Sequence, residues 1–579
     1  MARKAEMSLD LSFGTISADR ADGPKPSRFR IAVMGDFSGR AAKGEVEIGS
    51  DLARRRPIKL DVDTLDKVIA GFGTTLVLPI GKKGAGIEVE LKSIDALHPD
   101  ELFENVEMFA ELVALKRRLA TGSTAKGAVT ELREWGREYG KKVQPPARSS
   151  AGNAVPADRK LSDFAKLIGG NITRKAKASP ADELLQRIVG PYITALPDPN
   201  AAAMQGAVEE SLAGAMRLVL HHPEFQSLEA QWRMLDLITR SIETDAKLDI
   251  VLYDISAEEL AADLASVEDL TTSGFCELLV EGTPDGRGRF SAVCGLYTFE
   301  ETPPHAELLG RIAKVAAHVN TAFFAAISPE FLNTPKDDRH PLVAEAWEAL
   351  RALPEAGHVG VVSPRFLLRR PYGAKSEPIY EFEFEEFTEA EGLSGMLWAN
   401  PVALVAILLA RSFRKTGASL GLGSVMSLGE VPFHYVKDRY GDQVALPCTE
   451  RNLTQAKTAF SVARGFMPVI SVKGRDEVRL GSFQSLAGDI VRGPWTDVPP
   501  PKPKEEPERS PSASGDGGGD DETASDDTST DDSSSDDLDA LLAGFDDSTP
   551  SDEGSGTDDS AEGADEEMDA DLAALLASL

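Results

Sequence analysis

The strongest hydrophobic pattern in the chain runs from Gly206 to Ile242. Val208, Leu212, Ala215 and Val219 recur three or four apart, and beyond Pro223 the stripe resumes at Leu228, Trp232, Leu235 and Ile238. That spacing predicts two helices, each burying one face. Pro223 cannot donate the backbone bond a helix interior requires, so the reading is a helical hairpin in which His221 and His222 close the first helix at a tight corner.

On the N-terminal side, Leu9, Leu11 and Phe13 alternate with polar residues as a short strand, and Phe29–Met34 (FRIAVM) is a second strand entering the turn Gly35–Arg40. The stretch Arg54–Phe72 reads as a short strand and then a helix marked by Leu65, Val68 and Ile69. Strands are predicted around Leu76–Leu78 and Ile87–Leu91, followed by one long helix from Asp95 to Leu119. After the hairpin come a strand (Leu248–Ser256), a helix (Glu258–Ala265), strands at Phe275–Gly282 and Phe290–Phe299, and a helix running into a buried strand over Ala306–Ile327. This alternation predicts a multi-domain α/β (α+β mixed) protein with partly parallel sheets. Trp232, Trp347 and Trp398 sit in apolar stretches and read as core anchors.

Composition and charge divide the chain further. With 579 residues and 42% hydrophobic content it is long enough for two or three domains with sizeable cores. From Glu505 onward there are 26 acidic residues against Arg509 alone, so the tail holds most of the net charge of −32 and the remainder only −7. A Pro-rich spacer leads into this tail, whose composition cannot offset chain entropy and predicts disorder. Two islands interrupt it, Asp536–Phe545 and Asp569–Leu579, sharing an L-x-A-L-L pattern. Leu538, Leu541, Leu542, Leu572, Leu575 and Leu576 there are candidate partner-binding residues on short tethered helices. Between Thr121 and Pro180 lies a join whose second part, KVQPPARSSAGNAVPADRK, is Pro-, Ala- and Ser-rich and reads as a linker, followed by a candidate amphipathic helix at Leu161–Ile172 whose face carries Phe164, Leu167 and Ile168. The expected organisation is a domain over 1–120, a linker over 121–179, a second domain over 180–490 and a spacer with tail over 491–579.

No catalytic constellation emerges. The glycine-rich turn GDFSGR lacks the lysine and hydroxyl of a phosphate-binding loop and the spacing of a dinucleotide fingerprint, and reads as a turn. Arg54, Arg55 and Arg56 in a mildly acidic body make a weak nucleic-acid footprint, and a solvated or salt-bridged surface is expected. His221, His222 and Glu224 have no second cluster of ligands to complete a metal site. Arg369 and Arg370 beside Tyr372 read either as an anion site or as paired surface charges at a strand end. Cys276, Cys294 and Cys448 form no C-x-x-C pair and read as buried reduced thiols. The N-terminus lacks the apolar run of a secretory signal and no window of some 20 apolar residues occurs, so a cytoplasmic protein is expected, with no cofactor, no nucleic acid and no membrane insertion.

The run LHHPEFQSLEAQWRMLDLI resembles the large subunit of the type VI secretion contractile sheath, as do VSPRFLLRRPYG (Val362–Gly373), MLWANPVALVAILLARSF (Met396–Phe413) and ARGFMPVISVKG (Ala463–Gly474). Together these blocks cover about Pro180–Gln484. In order, VMGDFSGR, RRRPIKLDVDTLDKVI and IDALHPDELFENVEMFAELVALKRRL resemble the small subunit of the same sheath over about Arg28–Leu119. The chain thus resembles both subunits joined in tandem.

The resemblance implies a structural, non-enzymatic protein that pairs small and large parts and assembles with other sheath subunits or copies of itself around an inner tube of ring proteins. Baseplate components and a AAA+ recycling ATPase are further implied partners. Neighbours in such sheaths exchange strands, for which Leu9, Leu11 and Phe13 are the candidates here. The ATPase grips an N-terminal helix of the large subunit, which would place Phe164, Leu167 and Ile168 in that role; docking on the protein's own surface is the alternative. Large subunits continue as a folded region beyond SFQSL, whereas here a spacer follows. That difference leaves open a second expectation, a non-polymerising sheath-derived adaptor or regulator.

Overall fold

A computed structural model describes residues 11–17, 28–80, 86–119, 127–128, 131, 201–281, 289–334, 338–388, 392–437, 440 and 443–496. The chain divides into two units, Met1–Pro501 with Leu579, and Lys502–Ser578, and all described residues belong to the first. Leu9, the predicted helix with Phe164, Leu167 and Ile168, and both leucine islands of the tail lie outside the described residues.

The strands in chain order are β1 (Phe29–Gly35), β2 (Ile58–Leu60), β3 (Thr75–Leu78), β4 (Ile87–Glu90), β5 (Leu248–Asp254), β6 (Ala292–Phe299) and β7 (Ala322–Ile327). They continue with β8 (Val359–Ser363), β9 (Phe366–Leu367), β10 (Trp398–Ala399), β11 (Ser427–Leu428), β12 (Tyr435–Lys437), β13 (Gln443–Ala445), β14 (Phe466–Ser471) and β15 (Val478–Leu480). Nine of them form one sheet in the order β11-β15-β14-β8-β7-β6-β1-β5-β2. The run from β14 to β5 is parallel, and β2, β15 and β11 complete it antiparallel. The protein is mixed α/β, as the alternation of elements predicts.

β1 lies between β5 and β6. Phe29 pairs with Leu248 and Gly35 with Asp254 on one side, while Ile31–Met34 pair with Ala292–Gly295 on the other. A strand buried on both faces is apolar except where a charge finds a partner, and FRIAVMG is buried throughout with Arg30 as its one charged residue. The two-residue pleat sends Ile31 and Val33 to one core and Ala32 and Met34 to the other. Helices Glu107–Leu119, Ala201–Leu220, Pro223–Ser241 and Val402–Thr416 cover the first face; Ala257–Ser266, Gly274–Glu281, Pro303–Val319 and Pro341–Ala352 cover the second.

Trp232 and Trp347 are fully buried, and Trp398 nearly so. Trp232 meets Phe37 and Phe72 at ring-centroid distances of 5.3 and 5.5 Å, so the helical hairpin is anchored to the N-terminal region through aromatic contacts.

Three local expectations need correction and a fourth needs extension. The strand predicted over Phe275–Gly282 is instead helix from Gly274 to Glu281, because the Asp263 carboxylate accepts the N–H groups of Gly274 and Phe275 and the Ser273 hydroxyl that of Cys276. A short, mostly apolar run fits either period, and these caps decide it. The predicted helix Asp95–Leu119 is two, Pro99–Asn105 and Glu107–Leu119, divided where Val106 is extended. His222 closes the first hairpin helix through its backbone N–H, which donates to the Val219 carbonyl, and also starts the second: its Nδ1 accepts the N–H of Glu224. His98 and His340 do the same before Pro99 and Pro341, a His-Pro start used three times. Leu11–Phe13 form no strand, and that segment's one β-bridge joins Thr15 to Asp269.

Truncating Trp232 should therefore empty a site shared by both regions, and Trp232→Ala is expected to cost about 3–5 kcal/mol in urea denaturation. Acid should weaken the fold as well. Burial disfavours the imidazolium forms of His222 and His305, holding both below the ordinary value of 6.5. Their neutral forms are the folded ones, so the stability they contribute is present above 6.5 and lost as pH falls through the lower folded values. Melting temperature followed from pH 7.5 to 5 should fall, and His222→Asn, which keeps a capping acceptor but cannot titrate, should flatten part of that slope.

Candidate assembly interface

The interface lies between the N-terminal region, up to Leu119, and the region from Ala201 onward. Within the sheet, the Arg30 guanidinium donates to both carboxylate oxygens of Asp249, at 2.9 and 3.1 Å, with both side chains almost fully buried. Each is a charged residue within a buried, largely apolar strand. At the end of β1 the Asp254 carboxylate accepts the N–H groups of Phe37 and Ser38 and the Ser38 hydroxyl. Asp36 accepts the N–H groups of Arg40 and Ala41. The backbone N–H groups of Phe37, Ser38 and Arg40 are thus committed to the protein's own carboxylates, which hold GDFSGR as a turn. Gly39, at φ 74°, supplies its left-handed corner.

One helix continues the lock. Glu259 and Asp263 are four apart on Ala257–Ser266 and so share a face. The fully buried Glu259 carboxylate accepts from Arg40 Nε at 3.0 Å and from two Arg55 nitrogens at 2.9 and 2.7 Å. Burial alone would lower the pKa of Arg55, but the carboxylates of Glu259 and Glu47 outweigh it and leave it raised. Burial likewise opposes ionisation of Glu259, and the hydrogen bonds from Arg55 reverse that, so its pKa is lowered. Asp263 accepts the Gly49 N–H at 2.7 Å. Its three backbone bonds do not overcome desolvation, and its pKa is raised. The arginine run thus separates: Arg55 is buried in this lock, while Arg54 pairs with Asp51 at the surface.

A second buried cluster lies under the hairpin corner. Arg369 is not a surface charge: it is 9% exposed, and it bonds Glu229 at 2.7 Å and Glu386 at 2.6 and 2.9 Å. Burial would raise the pKa of Glu386, but the Arg369 charge dominates and holds it at about 2. Arg233 bonds Glu229 and the Tyr372 hydroxyl, and the Arg369 guanidinium lies 4.2 Å from the Tyr372 ring centroid. His98 of the N-terminal region stacks edge-on against Tyr372 at 5.0 Å. Beside this cluster a cleft of about 560 Å³ is lined by residues of both regions, among them Asp95, His98, Arg370 and Phe433.

The other candidates are distributed differently. Leu11 and Phe13 are partly buried on the second core, and the Phe13 ring lies where a side chain on Gly310 would collide with it. Arg311 Nε donates to the Ser12 carbonyl at 3.0 Å and Lys314 to that of Gly14 at 2.6 Å. His221 lies 3.6 Å from Glu386. The carboxylates that hold the interface, Asp249, Asp254, Glu259 and Asp263, were not singled out from the sequence. Arg30 in β1 and Asp249 in β5, each a charge within a buried apolar run, are the one signal that could have paired the two strands.

Glu259→Ala would take from Arg40 and Arg55 the one fully buried carboxylate they share and leave them Glu47 nearer the surface, and a loss of about 1–3 kcal/mol is expected in urea denaturation. Arg54→Ala, at the exposed neighbour, should stay within about 0.5 kcal/mol of the parent protein.

Two family models match the chain. Residues 203–487 match the tail sheath N-terminal domain (EvpB, VipB), and residues 25–135 match the type VI secretion system VipA family. The chain is also 33% identical over 299 residues to the type VI secretion system sheath protein TssC1 of Pseudomonas aeruginosa, an alignment covering 48% of this chain. It spans 60% of that relative's length. Within one polypeptide, residues 25–135 are thus similar to the VipA family of the type VI secretion system and residues 203–487 to the tail sheath N-terminal domain, one on each side of the interface.

Proposed function

We propose that this component of the type VI sheath is a fused protomer, small and large parts in one chain, that assembles with copies of itself or with other sheath subunits around an inner tube. The observation that carries the reading is the shared sheet: β1 of the VipA-like region is hydrogen-bonded on both sides by strands of the VipB-like region. A pair so joined moves as one body. The work of such an assembly comes from interfaces between protomers that have two stable arrangements, and it calls for no reacting side chain.

Among the described residues no helix is long and apolar enough to cross a membrane. The inner tube ring protein, baseplate components and a AAA+ ATPase gripping Phe164, Leu167 and Ile168 are the partners proposed with this reading. The leucines of the tail, Leu538, Leu541, Leu542, Leu572, Leu575 and Leu576, are proposed as a bivalent anchor for a partner groove. Leu9, Leu11 and Phe13 are proposed as the segment that reaches a neighbour.

Negative-stain electron microscopy of the purified protein, alone and mixed with tube ring protein, is expected to show tubular assemblies. Their absence under both conditions would replace this reading with a sheath-derived adaptor. In a pull-down, changing the six tail leucines to serine should abolish recovery of tail partners while leaving the melting temperature of the body unchanged; equal recovery would reduce the tail to a solubilising brush.

A further inference from the structure

We propose that the VipA-like region is a built-in partner that pairs only with the large-subunit-like region of its own polypeptide, closing the chain to a free small subunit supplied in trans. The inference rests on the fused-protomer reading for its biological meaning, but the pairing it describes does not depend on polymerisation.

Three observations carry it. The first is the position of β1. A strand at a sheet edge can be exchanged by peeling one ladder of hydrogen bonds, whereas β1 is bonded over seven residues to β5 and over four to β6. A competing small subunit would have to open both ladders before making any bond of its own.

The second is charge. Arg30, Arg40 and Arg55 reach Asp249 and Glu259 at positions that are buried on at least one side of each pair. Withdrawing the N-terminal region strands those carboxylates in a dry site, so there is no half-open state of low energy. The Gly49 carbonyl also sits where any side chain on Gly274 would meet it at 2.2 Å, so the surfaces fit without spare room.

The third is where the chain leaves and returns. Helices Glu107–Leu119 and Ala201–Leu220 pack together, with Lys116 and Glu209 in ion contact at 2.8 Å. Lys116 is three residues before the end of one helix and Glu209 eight residues after the start of the other, so the two ends lie within about 20 Å of each other at 1.5 Å per residue. Residues 120–200 connect them. A chain of that length reaches many times this distance, so pairing in cis needs no stretching and occurs at an effective concentration on the order of millimolar. Pairing between two copies would form the same contacts without that advantage.

The Lys116–Glu209 contact supplies the test. The full-length protein is co-expressed in equal amount with a mass-marked copy carrying Glu104→Asp and Asp198→Glu, one marker on each side of the join. The purified mixture is coupled with a zero-length carbodiimide, which joins lysine to carboxylate only in contact, and the Lys116–Glu209 peptides are weighed. Pairing in cis gives doubly marked and unmarked products, which share one mass because the two changes cancel, with the mixed products, displaced from it by one methylene in either direction, below about one tenth of the total; free exchange between copies brings the mixed fraction to one half and overturns the proposal. Absence of any Lys116–Glu209 product overturns it too, because the contact it stands on would not exist.

A second arm adds a separately expressed VipA-family small subunit, affinity-tagged, to the full-length protein. No capture beyond a tag-only control is expected, and stoichiometric capture overturns the closed slot. A protein that pairs in cis yet forms no tubes would refute the sheath-protomer reading alone, so the two failures are distinguishable.

Discussion

Everything in the folded unit depends on how the buried charge of one region is neutralised by the other. Arg30 cannot stay charged in the middle of a parallel sheet without Asp249, and Glu259 cannot stay ionised at zero exposure without Arg40 and Arg55. Burying these groups is costly, and hydrophobic residues of similar shape could hold the strands as tightly. What the charges add is register. A one-residue slip of β1 against β5 would separate Arg30 from Asp249 and turn Ile31 and Val33 onto the wrong face.

The aromatic contacts supply the mass of the attraction. Trp232 against Phe37 and Phe72, Phe103 against Phe382, and Phe29 stacked on Phe413 at 4.8 Å all cross between the two regions. The two regions therefore have one continuous core on the hairpin side of the sheet rather than two cores touching at a seam. That arrangement is characteristic of permanent partners, whose interface resembles a domain interior divided in half.

Much of this was legible from residue spacing. The hairpin at Pro223, the strands at Phe29, Leu248 and Phe290, and the anchoring tryptophans all follow from period and apolar content, because long buried elements leave little choice. What was not legible was pairing. FRIAVM reads as a buried strand, but nothing local shows that its neighbours begin at Leu248 and Ala292, more than 200 residues later. The same limit hid Arg369, whose burial depends on Glu229 and Glu386 from two other segments. Short elements failed for a different reason: in Gly274–Glu281 the deciding bonds come from Asp263, eleven residues upstream, and no window within the run contains them.

The turn after β1 has a consequence for what this architecture has become. In open parallel sheets the crevice beyond the carboxyl ends of the strands is where nucleotides and other small ligands ordinarily settle. Here Asp36, Asp254, Glu259 and Asp263 gather near that end of β1 and β5 and are met by the backbone and arginines of the same chain. The crevice is occupied by protein instead of by a visiting molecule. The groups that could meet a small ligand at this end of the sheet are spent on one another, and the same contacts serve as the joint between the two regions.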